Sequence, residues 1–136
     1  MCVVDSDGLA VSITPSDGSA SNPAIPKWGI TPSSRGSQSW AVKGHPSSVA
    51  PWKRPRLTPN PAIAILSDGS VMPFGTPGAD VQCQAMLQVL LNITDFGLSP
   101  QAAVEAPRFA SYSAPDSFEP HTALPNVLKI ESSINK

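Results

Sequence analysis

The stretch "FGTPGADVQCQAMLQVLLN", Phe74 to Asn92, decides how this chain is read. It begins with a proline and glycines and passes without a gap into a long apolar, periodic run. Met86, Val89, Leu90 and Ile93 fall at i, i+3, i+4 and i+7, which is one face of a helix. Gln84, Gln88 and Asn92 form a polar stripe on another face. Leu87 and Leu91 widen the apolar side, so the expectation is a mostly buried helix. Asp80 is a candidate N-cap or first-turn acid, and Gly97 is placed to end the helix in a left-handed conformation. The glycines ahead of the helix admit two readings. They form an ordinary strand-to-helix turn, or a turn whose backbone N–H groups face a reacting atom.

Reading outward, both flanks are regular. Upstream, "AIAILSDGSVMPFG" is two β-rich runs around Asp68-Gly69, a strong hairpin signal. The chain opens on the same grammar, "CVVDSDGLAVSI", with Asp7-Gly8 at the turn. A third Ser-Asp-Gly, Ser16 to Gly18, has no hairpin pattern around it, so no internal repeat is inferred. Downstream, Ser99-Pro100 starts a short helix with an N-cap and a proline at N1. That helix stops before Pro107. "RFASYS" and "VLKI" read as extended. Two hairpins, one buried helix, one short helix and further strands, with mixed sheets covered by helices, make the fold class α+β. Both ends read as cut, the first inside a strand and the second soon after one.

Composition narrows the function. The chain has 136 residues, with 40% hydrophobic, 14% charged and a net charge of −1. That is one domain with a modest core, here read as a single partial domain over 1–136. Nucleic acid and anionic membranes require clustered Lys and Arg, and neither is an expected partner. The densest basic cluster, Trp52 to Arg56, reads as a loop tethered by ion pairs. No apolar run approaches the ~20 residues that span a bilayer. The start lacks the basic and apolar segments of a signal peptide, and the compartment stays open. Cys2 and Cys83 are compatible with two free thiols or one bridge. His45 and His121 lie in Pro-containing loops with no neighbouring metal-ligand spacing. They read as solvated, and no metal or cofactor is expected.

Proline is the outlier, at 16 residues. Many fall in the Pro/Ser-rich segment 15–61, which also carries Trp28, Trp40 and Trp52. Free linkers seldom carry tryptophan, so the segment is read as ordered, irregular and packed against something else.

Taken together, "VVDSDGLAVS", "APWKRPRLTPNPAIAILSDG" and "FGTPGADVQCQAMLQVLLNITDFGLSPQAAVEAPRF", in that order, resemble the small catalytic subunit of the γ-glutamyltranspeptidase family. Each piece is weak alone, but the ordered set is specific. The resemblance implies an N-terminal-nucleophile hydrolase fold, a four-layer αββα sandwich. It implies a precursor that cuts itself to expose a threonine, and a large subunit of that precursor as partner. The threonine attacks the γ-glutamyl amide of glutathione or a similar small molecule, and the acyl group passes to water or an amino acid. A free α-amine serves as base for its own hydroxyl, and backbone donors hold the oxyanion.

The resemblance carries over residue by residue. Gly78 and Ala79 align with paired glycines whose N–H groups form the oxyanion hole. Ala79 keeps the donor but adds a Cβ that restricts positive φ. Leu57 and Thr58 fall where members carry a serine pair that binds the substrate's α-carboxylate. Ser16 aligns with a hydroxyl that assists the nucleophile, and Gly18 falls where many members have asparagine. Arg35 and Gln38 align with the loop that grips the α-amino group, where members usually have an acid. Gln38 therefore removes a charge partner for an ammonium, which opens the way to a related acylase with a non-glutamyl amide substrate. Glu105 and Arg108 are expected to pin the helix end. The family's Thr-Thr pair precedes Val-Val-Asp, whereas here only Met1 and Cys2 precede Val3, so the chain alone is expected to be inactive. Cys2 is displaced by several residues, on the order of 10 Å along a strand. It reads as a small buried strand residue rather than a substitute nucleophile. Two rivals stay open: a non-catalytic remnant that pairs with another polypeptide through its sheet edges, and a phosphate loop at Gly75 to Asp80, which lacks the Lys-Ser/Thr of a P-loop.

Overall fold

The computed structural model of the chain describes residues 1–17 and 22–134. Its elements are β1 (Cys2–Val4), β2 (Ala10–Ser12), β3 (Ala62–Ile65), β4 (Val71–Phe74), α1 (Gln82–Thr94), α2 (Pro100–Glu105), β5 (Phe109–Ser111) and β6 (Leu128–Ile130). Single 3-10 turns occur at Ser34–Gln38 and Ala79–Val81. This is the expected α+β order. The sheets are not mixed, however. All three pairs, β1–β2, β3–β4 and β5–β6, are antiparallel and two-stranded.

The two Asp-Gly turns close as their chemistry requires. Asp5 Oδ1 accepts from the N–H groups of Asp7 and Leu9, and Gly8 takes φ +85°. Asp68 Oδ1 accepts from the Ser70 N–H and hydroxyl, with Gly69 at φ +83°. The left-handed position falls to glycine in each case. The two hairpins lie side by side, and the Ser12 hydroxyl donates to the Phe74 carbonyl at 2.9 Å. Gly97 at φ +68° ends α1, and Ser99 caps α2 by accepting the Ala102 N–H, with Pro100 behind it.

Helix α1 departs from expectation in two ways. It is not mostly buried. Met86 is covered, but Leu87 and Leu91 are 55% and 39% exposed, because the chain has too little apolar partner surface to cover both sides of the helix. Among the described residues, only Met86, Ala103 and Ala110 are buried hydrophobic residues. The glutamines, expected only as a polar stripe, also have defined backbone partners. Gln84 exchanges two hydrogen bonds with the Ser111 backbone, at 2.8 and 3.0 Å, and Gln88 does the same with Phe109, at 3.1 and 2.9 Å. The side-chain amides thus complete the outer edge of β5. The spacing permits it, because four helical residues rise about 6.0 Å and two strand residues about 6.6 Å.

The described residues of the segment 15–61 include the Ser34–Gln38 turn and isolated bridges at Ile25–Ile30 and Trp40–Ser48. Trp28 and Trp52 stand exposed, and Trp40 is packed. The histidine expectation fails at this point. His45 and His121 stack on the two faces of Trp40, with ring centroids 4.2 and 4.1 Å away. Stacking on indole covers one face of each ring and leaves the His121 side chain 5% exposed, which loop position alone did not suggest. Cys2 is also corrected. It is exposed on β1, and Cys2 and Cys83 are both free thiols. Arg108 pairs with Glu131 across β5 and β6 instead of pinning a helix end, and Glu105 accepts from Gln101 within α2.

Candidate functional site

The site is built from three loops that the hairpins and α1 bring together. The first is the turn between β4 and α1. Gly78 takes φ +132° and Ala79 φ +49°, both in the region that favours glycine. Neither residue's N–H has a hydrogen-bond partner among the described residues. These orphan donors sit at the entry to the 3-10 turn, where the first N–H groups of a helix lack internal acceptors. A Cβ on Gly78 would meet nothing closer than Gln82 Cγ at 3.9 Å, so the constraint there is conformational.

Asp80 follows directly, and its carboxylate is not an N-cap. It accepts the Ser117 N–H at 2.7 Å and the Ser117 hydroxyl, and pairs with Arg56 at 3.2 Å. Ser117 is fully buried. The competing acceptor role wins because a buried serine has no water to satisfy it, whereas the helix start is exposed. The tether expected for the basic cluster is therefore Arg56 to Asp80.

The second loop carries Arg35 and Gln38 on the Ser34–Gln38 turn, capped by the Ser33 hydroxyl. Arg35 Nε donates to the Ser16 carbonyl at 3.1 Å, one terminal nitrogen to Thr58 Oγ1 at 3.1 Å, and the other to Ser16 Oγ. Gln38 Nε2 donates to the same Thr58 oxygen at 3.0 Å. Gln38 is fully buried, and its Oε1 has no hydrogen-bond partner among the described residues. Ser16, Arg35, Gln38 and Thr58 thus form one network. Both lone pairs of the Thr58 oxygen are occupied by donors, so its own proton is left to donate outward. Leu57, Thr58, Gly78 and Ala79 line one cleft of about 600 Å³. Gly18 lies outside the described residues.

The third loop was not legible as part of a site. Residues 116–121 reach every part of it. Ser117 holds Asp80, the Phe118 ring lies 5.5 Å from the Arg35 guanidinium carbon, Glu119 N–H donates to the Ser37 carbonyl, and His121 stacks on Trp40. Its only sequence signal was a Phe between acids, which is too common to single out.

Comparison with known proteins places the chain in a family. The family model described as gamma-glutamyltranspeptidase matches residues 1–136. The glutathione hydrolase proenzyme of Pseudomonas sp. (strain A14) is 34% identical over 94 residues, 68% of this chain and 16% of that protein. The oxamate amidohydrolase proenzyme of Klebsiella pneumoniae is 36% identical over 111 residues, 80% of this chain and 21% of that protein. Among solved structures, that of LmbA2991HD superimposes with a TM-score of 0.85 at 38% identity, covering 97% of this chain and 24% of that one. The chain therefore spans about a fifth of the relatives it matches. With the family model matched from first residue to last, this chain belongs to the γ-glutamyltranspeptidase family.

Proposed function

We propose that the chain supplies the oxyanion turn and the acyl-donor loop of an amide hydrolase or acyltransferase. Its substrate is a γ-glutamyl compound or another small amide. One observation carries the reading: Ser16, Arg35, Gln38 and Thr58 are joined in a single network, and Thr58 shares its cleft with Gly78 and Ala79. The names of the relatives, glutathione hydrolase and oxamate amidohydrolase, support hydrolytic chemistry on such substrates.

The mechanism assigns each group a task. A threonine hydroxyl adds to the scissile carbonyl, and its proton passes to the threonine's own α-amine. The carbonyl oxygen becomes an oxyanion, held by the Gly78 and Ala79 N–H groups. Collapse expels the amine, which takes the proton, and water or an acceptor amine then removes the acyl group. Thr58 donates its free proton to the donor's carboxylate, and Ser16, its oxygen held by Arg35, donates toward the nucleophile. We assign that threonine to a part of the precursor outside the fifth that these residues span. A larger part of the same precursor packs on the exposed faces of the hairpins and of α1, at Val3, Ile63, Ile65 and Leu87, completing an αββα sandwich. Those same exposed faces favour one second reading, a non-catalytic module that associates through them. Size-exclusion chromatography tests it, since a well-behaved monomer counts against it.

The main test is titration of the chain with L-glutamine and with glutaramate (4-carbamoylbutanoate), followed by amide NMR, together with a γ-glutamyl-p-nitroanilide assay. Shifts at Thr58 and Ala79 without p-nitroaniline release are expected. Turnover by the chain alone would overturn the assignment of the nucleophile to another segment. Absence of shifts with both ligands would overturn the site.

A further inference from the structure

The charge of the donor loop points further than the family assignment, on which this inference rests. Arg35 is half-buried, and no carboxylate lies within ion-pair distance of it among the described residues. None of the nearby acids touches the guanidinium: Asp17, which keeps its charge, accepts from the Ser33 hydroxyl at 3.1 Å, and Asp80 is taken by Arg56 and Ser117. Among the described residues three of the five guanidinium N–H groups are used, on Ser16 and Thr58, which leaves two. Gln38 beside it is neutral and fully buried. Phe118 covers the guanidinium and lowers its exposure to water. Among the described residues the guanidinium beside Thr58 therefore has no carboxylate in contact with it and two spare donors, next to a hydroxyl whose proton is free.

We propose that this site takes acyl donors that carry a carboxylate and no ammonium at the end held by Arg35 and Thr58, namely monoamides of small dicarboxylic acids. A carboxylate accepts from the spare guanidinium donors and from Thr58 in charge-assisted bonds. An ammonium on the adjacent carbon would meet a guanidinium instead of a carboxylate, with only a neutral amide beside it. Leu57, half-exposed on the cleft wall, offers the aliphatic part of the acyl chain an apolar contact.

Three probes separate the contributions. Glutaramate carries the carboxylate and the amide, L-glutamine adds the ammonium, and 4-aminobutanamide keeps an ammonium and drops the carboxylate. Amide NMR titration of the chain gives a Kd for each. Glutaramate is expected to bind at least about fivefold more tightly than L-glutamine, the factor that two like charges ~4 Å apart produce even in bulk water. 4-Aminobutanamide is expected to bind weakest. Arg35→Gln should erase the preference and Gln38→Asp should reverse it, although the wild-type comparison decides the matter without either variant. L-Glutamine binding as tightly as glutaramate would overturn the inference and leave the family reading of the cleft intact. No shift at Thr58 or Ala79 with any of the three would overturn both.

Discussion

Replacing Ala79 with glycine should stabilise the chain. Ala79 holds φ +49°, the left-handed region, at a position with no side-chain capping bond. An L-residue there costs roughly 1–2 kcal/mol relative to its preferred conformations. Glycine removes that cost but adds freedom to the unfolded chain, which takes back about 0.4–1 kcal/mol. The net gain is about 0.5–1 kcal/mol. Unfolding entropy of ~2.1 cal/mol/K per residue gives roughly 0.3 kcal/mol/K for a chain of 136 residues. The melting temperature of Ala79→Gly should therefore rise by about 2–3 °C, read by calorimetry or circular dichroism. Ala79→Val, with a branched Cβ, should fall below the parent. Gly78→Ala, at φ +132°, should also fall, by about 1–3 kcal/mol. An unchanged or lower melting temperature for Ala79→Gly would refute the claim that this turn is strained.

Three further outcomes follow from the contacts. Asp80→Ala leaves the buried Ser117 without its acceptor and should cost about 2–3 kcal/mol in urea unfolding, whereas Arg56→Ala removes a half-exposed pair and should cost at most ~1 kcal/mol. Gln88→Ala should speed hydrogen exchange at the Phe109 amide and Gln84→Ala at Ser111, each losing two bonds worth about 1 kcal/mol apiece. The Ser70 hydroxyl and N–H hold the Asp68 carboxyl below its ordinary value of 3.8. Its folded pKa is depressed, so its contribution to stability is present above 3.8 and is lost as pH falls through the lowered value. Asp68→Asn should flatten that part of the acid unfolding curve, and an unchanged curve would discount the turn bond.

What could be read from the sequence was local. Asp7-Gly8 and Asp68-Gly69 specify their hairpins because the turn chemistry is contained in adjacent residues. Gly97 and Ser99-Pro100 mark helix ends for the same reason. The failures share another cause. Gln84 and Gln88 read only as a polar stripe because their partners, Ser111 and Phe109, lie more than twenty residues away. His45 and His121 looked solvated because Trp40, the ring between them, joins segments that no periodicity connects. Asp80 looked like a cap until Ser117 claimed it. The burial of α1 was overestimated because an apolar stripe reports what a helix could cover, not what one chain provides. In the candidate site, Arg35 and Thr58 emerged only through the family resemblance, and their contact with each other only through the fold.

The glutamine amides on β5 have a consequence for how the chain tolerates change. Strand register and helix position are not independent here. A one-residue slip of β5 would move both acceptor–donor pairs by about 3.3 Å and turn its side chains to the other face. Gln84 and Gln88 could follow only if α1 slid along its own axis. Gly78 and Ala79 stand just ahead of that helix, so they would slide with it. An insertion or deletion in the loop between α2 and β5, far from the cleft in sequence, should therefore misplace the two backbone donors. The ruler that sets the distance between strand and cleft is a pair of side chains four residues apart.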